Sequence, residues 1–327
     1  MTLWNGSFPF YPGPRAGFLF DTTQAAILSV FLSMLVTFLI ILPGIRGRKR
    51  LFWFLRVVLS LFVGAVVLTV QFSRDWETGR VTANTSYKSF SSALLTMEVG
   101  LHIGLGGLNV TLLGAPVRQL NETIDYNEFF SWGLGADYEQ SYVAGLQKGL
   151  PSPILYVAEK FRARSPCGVQ RQYRGAGRYA SISLWMALCT WLLSLLLLSM
   201  PLLLQGGYML LLTATLMLFS LLLFSAVRNT PSCPIQLGPA ALQTAYGASF
   251  WLTLATGLLC LLLGLGIILL SSQQPEKLKF VFELEQGRGE DEEEQGKSCL
   301  PAEHSSSLQD VLMLPLAELQ QVPATRL

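Results

Sequence analysis

Apolar residues in this 327-residue chain gather into long uninterrupted runs separated by stretches of mixed polarity. Five runs, at residues 23–43, 51–72, 179–203, 207–227 and 248–270, reach the roughly 20 residues that a helix needs to cross a hydrocarbon core. They predict a membrane protein, mainly α, with five transmembrane helices and its termini on opposite faces. Pro201 and the stretch from Gln205 to Gly207 predict a tight turn that makes an antiparallel hairpin of the third and fourth runs. No cationic leader or small-residue cleavage site precedes the first run, so it is expected to span with its N-terminus outside.

Between the second and third runs the period changes. Val99, Leu101, Ile103 and Leu105 alternate, Gly106 and Gly107 interrupt, and Leu108, Val110 and Leu112 resume, which predicts a β-hairpin turning at the glycine pair. The alternation points Asn109 and Thr111 away from the face of Leu108 and Val110. Past Pro116, LNETIDYNEFFSW sets Tyr126, Phe129, Phe130 and Trp132 among Glu122, Asp125 and Glu128. No histidine or nucleophile accompanies these carboxylates, which read as solvated helix faces and not as acid–base groups. The aromatics suit an interface or a small core equally well. A helix follows over 137–149 with Tyr138, Tyr142 and Leu146 on one face, then another over 152–161 with Ser152 and Pro153 as cap and first turn.

Charge orients this arrangement. Arg46, Arg48, Lys49 and Arg50 crowd the short link between the first two runs, and the positive-inside rule assigns that turn to the cytoplasm. Residues 1–22, 73–178 and 228–247 are then outside, together with the sequons at Asn5, Asn84, Asn109 and Asn121, on the side where N-glycosylation occurs. Arg171, Arg174 and Arg178 run against this orientation, but a long loop translocates largely regardless of charge. Arg56, about one turn inside the second run, is expected to snorkel beside Trp53. From residue 272 onward, 5 Lys/Arg face 11 Asp/Glu, predicting a disordered acidic cytoplasmic tail over 272–327.

Composition then narrows the chemistry. Charged residues make up only 13% of the chain and none sits at mid-depth in a run, which argues against transporter, channel and intramembrane enzyme. With His102 and His304 as its two histidines and no CxxC pair, the chain offers nothing for haem or zinc, and no cofactor is expected. The GLGG at 104–107 lacks a following helix and a lysine, so nucleotide binding has no support. Cys167 and Cys233 are the two cysteines expected on the non-cytoplasmic side; they bridge each other, or one bridges to a partner's ectodomain. A small-residue stripe in the fifth run, Thr253, Gly257, Cys260 and Gly264, suits close packing within this bundle or against a partner's helices.

Longer stretches carry a resemblance. ILPGIRGRKRLFWFLRVVLSLFVGA (41–65), NTSYKSFSSA (84–93), GLGGLNVTLLGAPVRQLNETIDYNEFF (104–130), YVAEKF with SPCG, and AYGASFWLTLATGLLC (245–260) closely resemble the dual oxidase maturation factor family, over roughly residues 1–275. The opening MTLWNG resembles the second vertebrate paralogue more than the first, while Gly133, Ser152 and Arg178 depart from the family pattern and leave paralogue preference open. The resemblance implies a large β-rich, claudin-like first extracellular loop and a heterodimer with dual oxidase, with contacts in the membrane and the ectodomain. It implies a non-catalytic role in the oxidase's exit from the endoplasmic reticulum, its surface delivery and its hydrogen peroxide production, in the context of thyroid hormone synthesis. Expected locations are the endoplasmic reticulum and plasma membranes; expected partners are the oxidase and membrane lipids, with no nucleic acid. The small-residue helices are expected to meet the partner's membrane domain. A claudin-like adhesion or junction protein is the alternative, though such proteins generally have four spans.

Overall fold

The computed structural model describes residues 21–44, 49–87, 94–119, 122–133, 135–162, 168–199, 202–228 and 235–273. Asn5, Arg46, Arg48, Asn121, Cys167, Cys233 and the acidic tail lie outside them. In chain order the elements are helices α1 (Thr22–Ile41) and α2 (Lys49–Phe72), then strands β1 (Glu77–Ser86), β2 (Leu94–Ile103), β3 (Gly107–Gln119) and β4 (Glu122–Ser131). Helices α3 (Tyr138–Gln147), α4 (Ser152–Lys160), α5 (Gly168–Ser199) and α6 (Leu203–Arg228) follow. Short strands β5 (Ile235–Leu237), β6 (Ala240–Leu242) and β7 (Thr244–Tyr246) lead into α7 (Ala248–Gln273). The five apolar runs are α1, α2, α5, α6 and α7, each long and apolar enough to cross a membrane.

Local chemistry explains the boundaries. Asp21 caps α1 by accepting the Thr23 N–H at 3.3 Å, and Asp137 caps α3 by accepting the Glu139 N–H at 3.1 Å. Gly149, at φ +69°, follows the end of α3. The predicted Ser152 cap is not formed: Pro151 takes the N-cap position, and the Ser152 hydroxyl donates to the Ser86 carbonyl at 3.0 Å, tying α4 to β1. At 1.5 Å per residue, the 32 residues of α5 extend about 48 Å, well beyond a hydrocarbon core. Its first turns, with Arg174 and Arg178, therefore belong to the domain above the bundle.

That domain is an antiparallel sheet of order β4-β3-β2-β1-β7. The β2–β3 hairpin turns where expected, with the Gly104 N–H donating to the Gly107 carbonyl at 2.9 Å. Residues 122–131 overturn an expectation: they form edge strand β4, so Glu122, Asp125 and Glu128 lie on a strand and not on a helix. Ile124 and Phe130 alternate onto the covered face, a period that the dense carboxylates and the outward Phe129 obscure. Met97, Val99, Leu101, Ile103, Leu108, Val110 and Leu112 complete that face, which α3 and α4 cover. Burying such a side chain is worth about 1.5–3 kcal/mol. On α3, Tyr138, Tyr142 and Gly145 are buried, whereas Leu146 is exposed.

In the bundle α6 lies between α5 and α7, α2 packs on α5 and α7, and α1 packs chiefly along α2. Thr253, Gly257, Cys260 and Gly264 are all buried, and a Cβ added at Gly264 would come within 2.9 Å of Leu211 on α6. The stripe is thus consumed inside the chain and is not free for a partner's helices. Gln205 to Gly207 belong to the first turns of α6, not to a turn between helices. Small residues there let α6 approach Leu198 on one side and Ile267 and Ile268 on the other.

Candidate functional site

The segment from Ser73 to Glu77 joins the end of α2 to the sheet, and the ion pairs of Arg74, Asp75 and Glu77 gather on it. Trp76 is fully buried; its indole N–H donates to the Val70 carbonyl at 2.8 Å, and its ring meets Phe224 of α6 at 5.2 Å. From Phe224 the aromatic contacts continue to Tyr173 (5.9 Å), Phe161 (6.2 Å), Trp132 (6.1 Å) and Tyr138 (5.9 Å). Edge and offset contacts of this kind add about 0.5–1.5 kcal/mol each beyond area burial. A continuous aromatic wall therefore couples the bundle to the helices that cover the sheet. Burial pushes the Tyr138 phenol above its ordinary pKa, and its hydroxyl donates to the Ala158 carbonyl at 2.6 Å.

Glu77, at the start of β1, has no exposed surface. Its carboxylate accepts from the Tyr173 hydroxyl at 2.9 Å and from the Thr244 hydroxyl, with the Arg228 guanidinium 3.9 Å away. Arg228 also donates to the Thr244 carbonyl at 3.0 Å and lies 4.0 Å above the Tyr246 ring. One carboxylate thereby ties together β1, β7 and the sheet-side ends of α5 and α6. Two hydrogen bonds and a nearby cation hold it in place, an arrangement that ties the chain's own elements together. Gly247 completes the junction: a Cβ there would lie 2.2 Å from the Asp75 carbonyl oxygen, so only glycine lets α7 enter beneath the hub.

Asp75 pairs with His102 Nδ1 at 2.8 Å, and this hydrogen bond holds the carboxyl below its ordinary pKa. Arg74 bonds Asp21 at 3.2 Å and lies 4.4 Å over the Phe129 ring, anchoring the N-terminal end of α1. Of these residues the sequence names Phe129 and Trp132 only as aromatics of an interface or a core, Tyr138 only on a helix face and His102 only as one of two histidines, and it singles out none of Asp21, Arg74, Asp75, Trp76 or Glu77. Glu77 had one usable signal: it falls in phase with Val81 and Ala83 on β1, a carboxylate in an inward register.

Among the sequence-predicted residues, Asn84 is exposed on β1 and accepts from the Thr96 hydroxyl at 2.7 Å. Asn109 pairs in register with His102, on the same outer face and opposite Leu108 and Val110, and is 8% exposed. Arg50 is exposed on α2 beside a cavity of about 320 Å³ shared with Leu42, Leu51 and Phe54, and Lys49 opens the same helix. Arg56 lies 5.2 Å from the Trp53 ring, as a snorkelling pair would. Cys189 and Cys260 are free thiols. Among the described residues, no three His, Cys, Asp or Glu side chains gather as a metal site.

Comparison with known proteins adds what this geometry lacks. A family profile described as Dual oxidase maturation factor matches residues 10–286. The chain belongs to the dual oxidase maturation factor family. It is 56% identical over 283 residues to the human protein called Dual oxidase maturation factor 1, covering 86% of this chain and 82% of that one. With the mouse protein called Dual oxidase maturation factor 2 it shares 52% over 284 residues, covering 87% and 89%. With the human protein of that second name it shares 51% over 300 residues, covering 92% and 93%. Relatives bearing both names match at similar identity, so the comparison assigns the family and not a paralogue.

Proposed function

We propose that the chain is a non-catalytic maturation factor for a dual oxidase, holding the oxidase in a conformation that leaves the endoplasmic reticulum and releases peroxide at the cell surface. The observation that carries this reading is the division of labour within the chain. Its buried polar groups around Glu77 tie the chain's own elements together, while α1 has no buried residue. Such a molecule is a scaffold with a membrane helix to spare. On α1, Gln24, Ile27, Phe31, Leu35 and Phe38 are half-buried along α2, and Ala26, Ser29, Ser33 and Thr37 form a small-residue row on the exposed side. The hydroxyls of Ser29 and Ser33 already donate to their own helix, at 2.8 and 2.7 Å, so the row offers close approach at little desolvation cost. Above the membrane, the exposed Val143 and Leu146 of α3 give a partner ectodomain an apolar contact.

In this reading the basic turn faces the cytoplasm and the sheet faces the lumen, with glycans on Asn84, Asn109, Asn121 and Asn5. Cys167 and Cys233 form a bridge within the chain; the contact of β5 with α4 supports it, since each cysteine lies a few residues from one of these elements. The test is co-expression of a dual oxidase with and without this chain, in cells lacking any endogenous factor. The expected result is a rise in surface oxidase and in extracellular peroxide; equal values in both arms would refute the proposal.

A further inference from the structure

The sequon at 109–111, Asn-Val-Thr, lies within strand β3, between β2 and β4, and not in the surface loop where such acceptors usually sit. Asn109 stands directly opposite His102 on β2 and Phe129 on β4, and it is 8% exposed. Side chains so paired have Cβ atoms about 4.5–5.5 Å apart. A sugar joined to the Asn109 amide therefore starts between these two neighbours and touches one or both.

The two are not equivalent. His102 is held by Asp75 through Nδ1 at 2.8 Å, and its side chain is 20% exposed. Phe129 is 40% exposed, an apolar ring left open on an edge strand. Its ring is also fixed in place. A Cβ added at Gly107 would come 2.3 Å from its Cζ, so the ring lies over Gly107, two residues before Asn109 on the same face of β3, with Arg74 4.4 Å from its centre. The pyranose of N-acetylglucosamine, the first sugar of an N-linked glycan, carries a face of C–H groups that complements an aromatic face, and contact removes apolar surface of both from water. Strand β4 also has a use for such a contact. Among the described residues it pairs on one side only, with β3, and its register there shifts between Leu113 and Arg118.

We propose that the N-acetylglucosamine joined to Asn109 packs on the Phe129 ring, so that the glycan braces edge strand β4 against β3 and shields this part of the outer face. The proposal rests on the reading above that Asn109 is glycosylated.

The test uses the full chain, expressed in glycosylating cells with isotopically labelled N-acetylglucosamine and purified in mild detergent. Glycopeptide mass spectrometry reads the occupancy of Asn109. An unoccupied Asn109 would overturn the proposal together with the glycosylation reading at this residue; an occupied one whose sugar ignores Phe129 would overturn the proposal alone. In the wild type, one set of sugar NMR signals is expected to move upfield, as protons above an aromatic ring do. That set is expected to vanish in Thr111→Ala, which removes the glycan and keeps Asn109, and to persist in Thr111→Ser, which keeps the sequon. In folded Phe129→Leu it is expected to return to ordinary positions. Thr111→Ala is expected to lower the thermal unfolding midpoint by about 2–4 °C when Phe129 is present, and by about half of that or less in the Phe129→Leu background. Wild-type sugar signals all at ordinary positions, an upfield set unchanged in Phe129→Leu, or equal midpoint losses in the two backgrounds would overturn the proposal.

Discussion

Helices α1 and α6 have the same mean hydropathy, 2.4, yet 44% of the most apolar window of α6 is buried inside the protein and none of that of α1 is. Apolarity fixes that a segment prefers the membrane; it says nothing about whether protein or lipid surrounds it. Shape decides that. Gly206, Gly207, Ala214 and Ser220 let α6 settle between α5 and α7, and Phe224 carries its C-terminal end into the aromatic wall. The small residues of α1 point away from α2, so the same device that builds the bundle is left available on the one helix the bundle does not enclose.

The sharpest break should come at the hub. Glu77→Ala leaves Arg228, Tyr173 and Thr244 without their shared acceptor, and loss of one member of such a buried group costs about 3–5 kcal/mol. Thermal unfolding in detergent, with Glu77→Gln as the milder companion, is expected to rank wild type above Gln above Ala. Next is the comparison itself. A Cβ at Gly206 would come 2.7 Å from Leu198, and one at Gly64 2.4 Å from the Trp191 ring. Gly206→Leu and Gly64→Leu should therefore each cost about 1–3 kcal/mol by overpacking. Ser33→Leu on the open side of α1 should stay within about 0.5 kcal/mol while weakening co-purification with a dual oxidase. A Ser33→Leu cost equal to that of Gly206→Leu would mean that α1 is packed as α6 is.

Smaller effects follow pH. The raised pKa of Tyr138 means that unfolded chains ionise this phenol first, so its influence is absent below the ordinary tyrosine range, about pH 10, and destabilises above it. Phenolate absorbance should show Tyr138→Phe to remove a late-titrating group. Asp75 acts in the opposite direction: its folded pKa is lowered, so its contribution holds above the ordinary carboxylate range and is lost as pH falls through the lowered value. With the Asp75 side chain 49% exposed, the effect should be slight, and Asp75→Asn should flatten the acid limb of a stability profile by a barely measurable amount.

Much of the architecture was legible because long-range packing did not have to be known. Five apolar runs, the β2–β3 hairpin and helix α3 each follow from local periodicity and from residues such as Gly106 and Gly107. The misses share a physical cause. Strand β4 hid because Phe129 and three carboxylates disturb its alternation, and an edge strand tolerates such residues on its open side. Gln205 to Gly207 resembled a turn because glycine serves both turns and close helix contacts, and only the neighbouring Leu198 and Ile268 distinguish the two. The Glu77 hub joins residues up to 167 positions apart, beyond the reach of any spacing rule.

The division between an occupied bundle and an open α1 is tested most directly by photocrosslinking in the assembled complex. Benzoylphenylalanine placed at residue 33, on the exposed side of α1, is compared with the same probe at residue 35, which faces α2. The expected result is an adduct to the dual oxidase from residue 33 and an adduct within the chain from residue 35. An intact, co-purified complex that yields no oxidase adduct from residue 33 would contradict the assignment of α1 as the partner-facing helix.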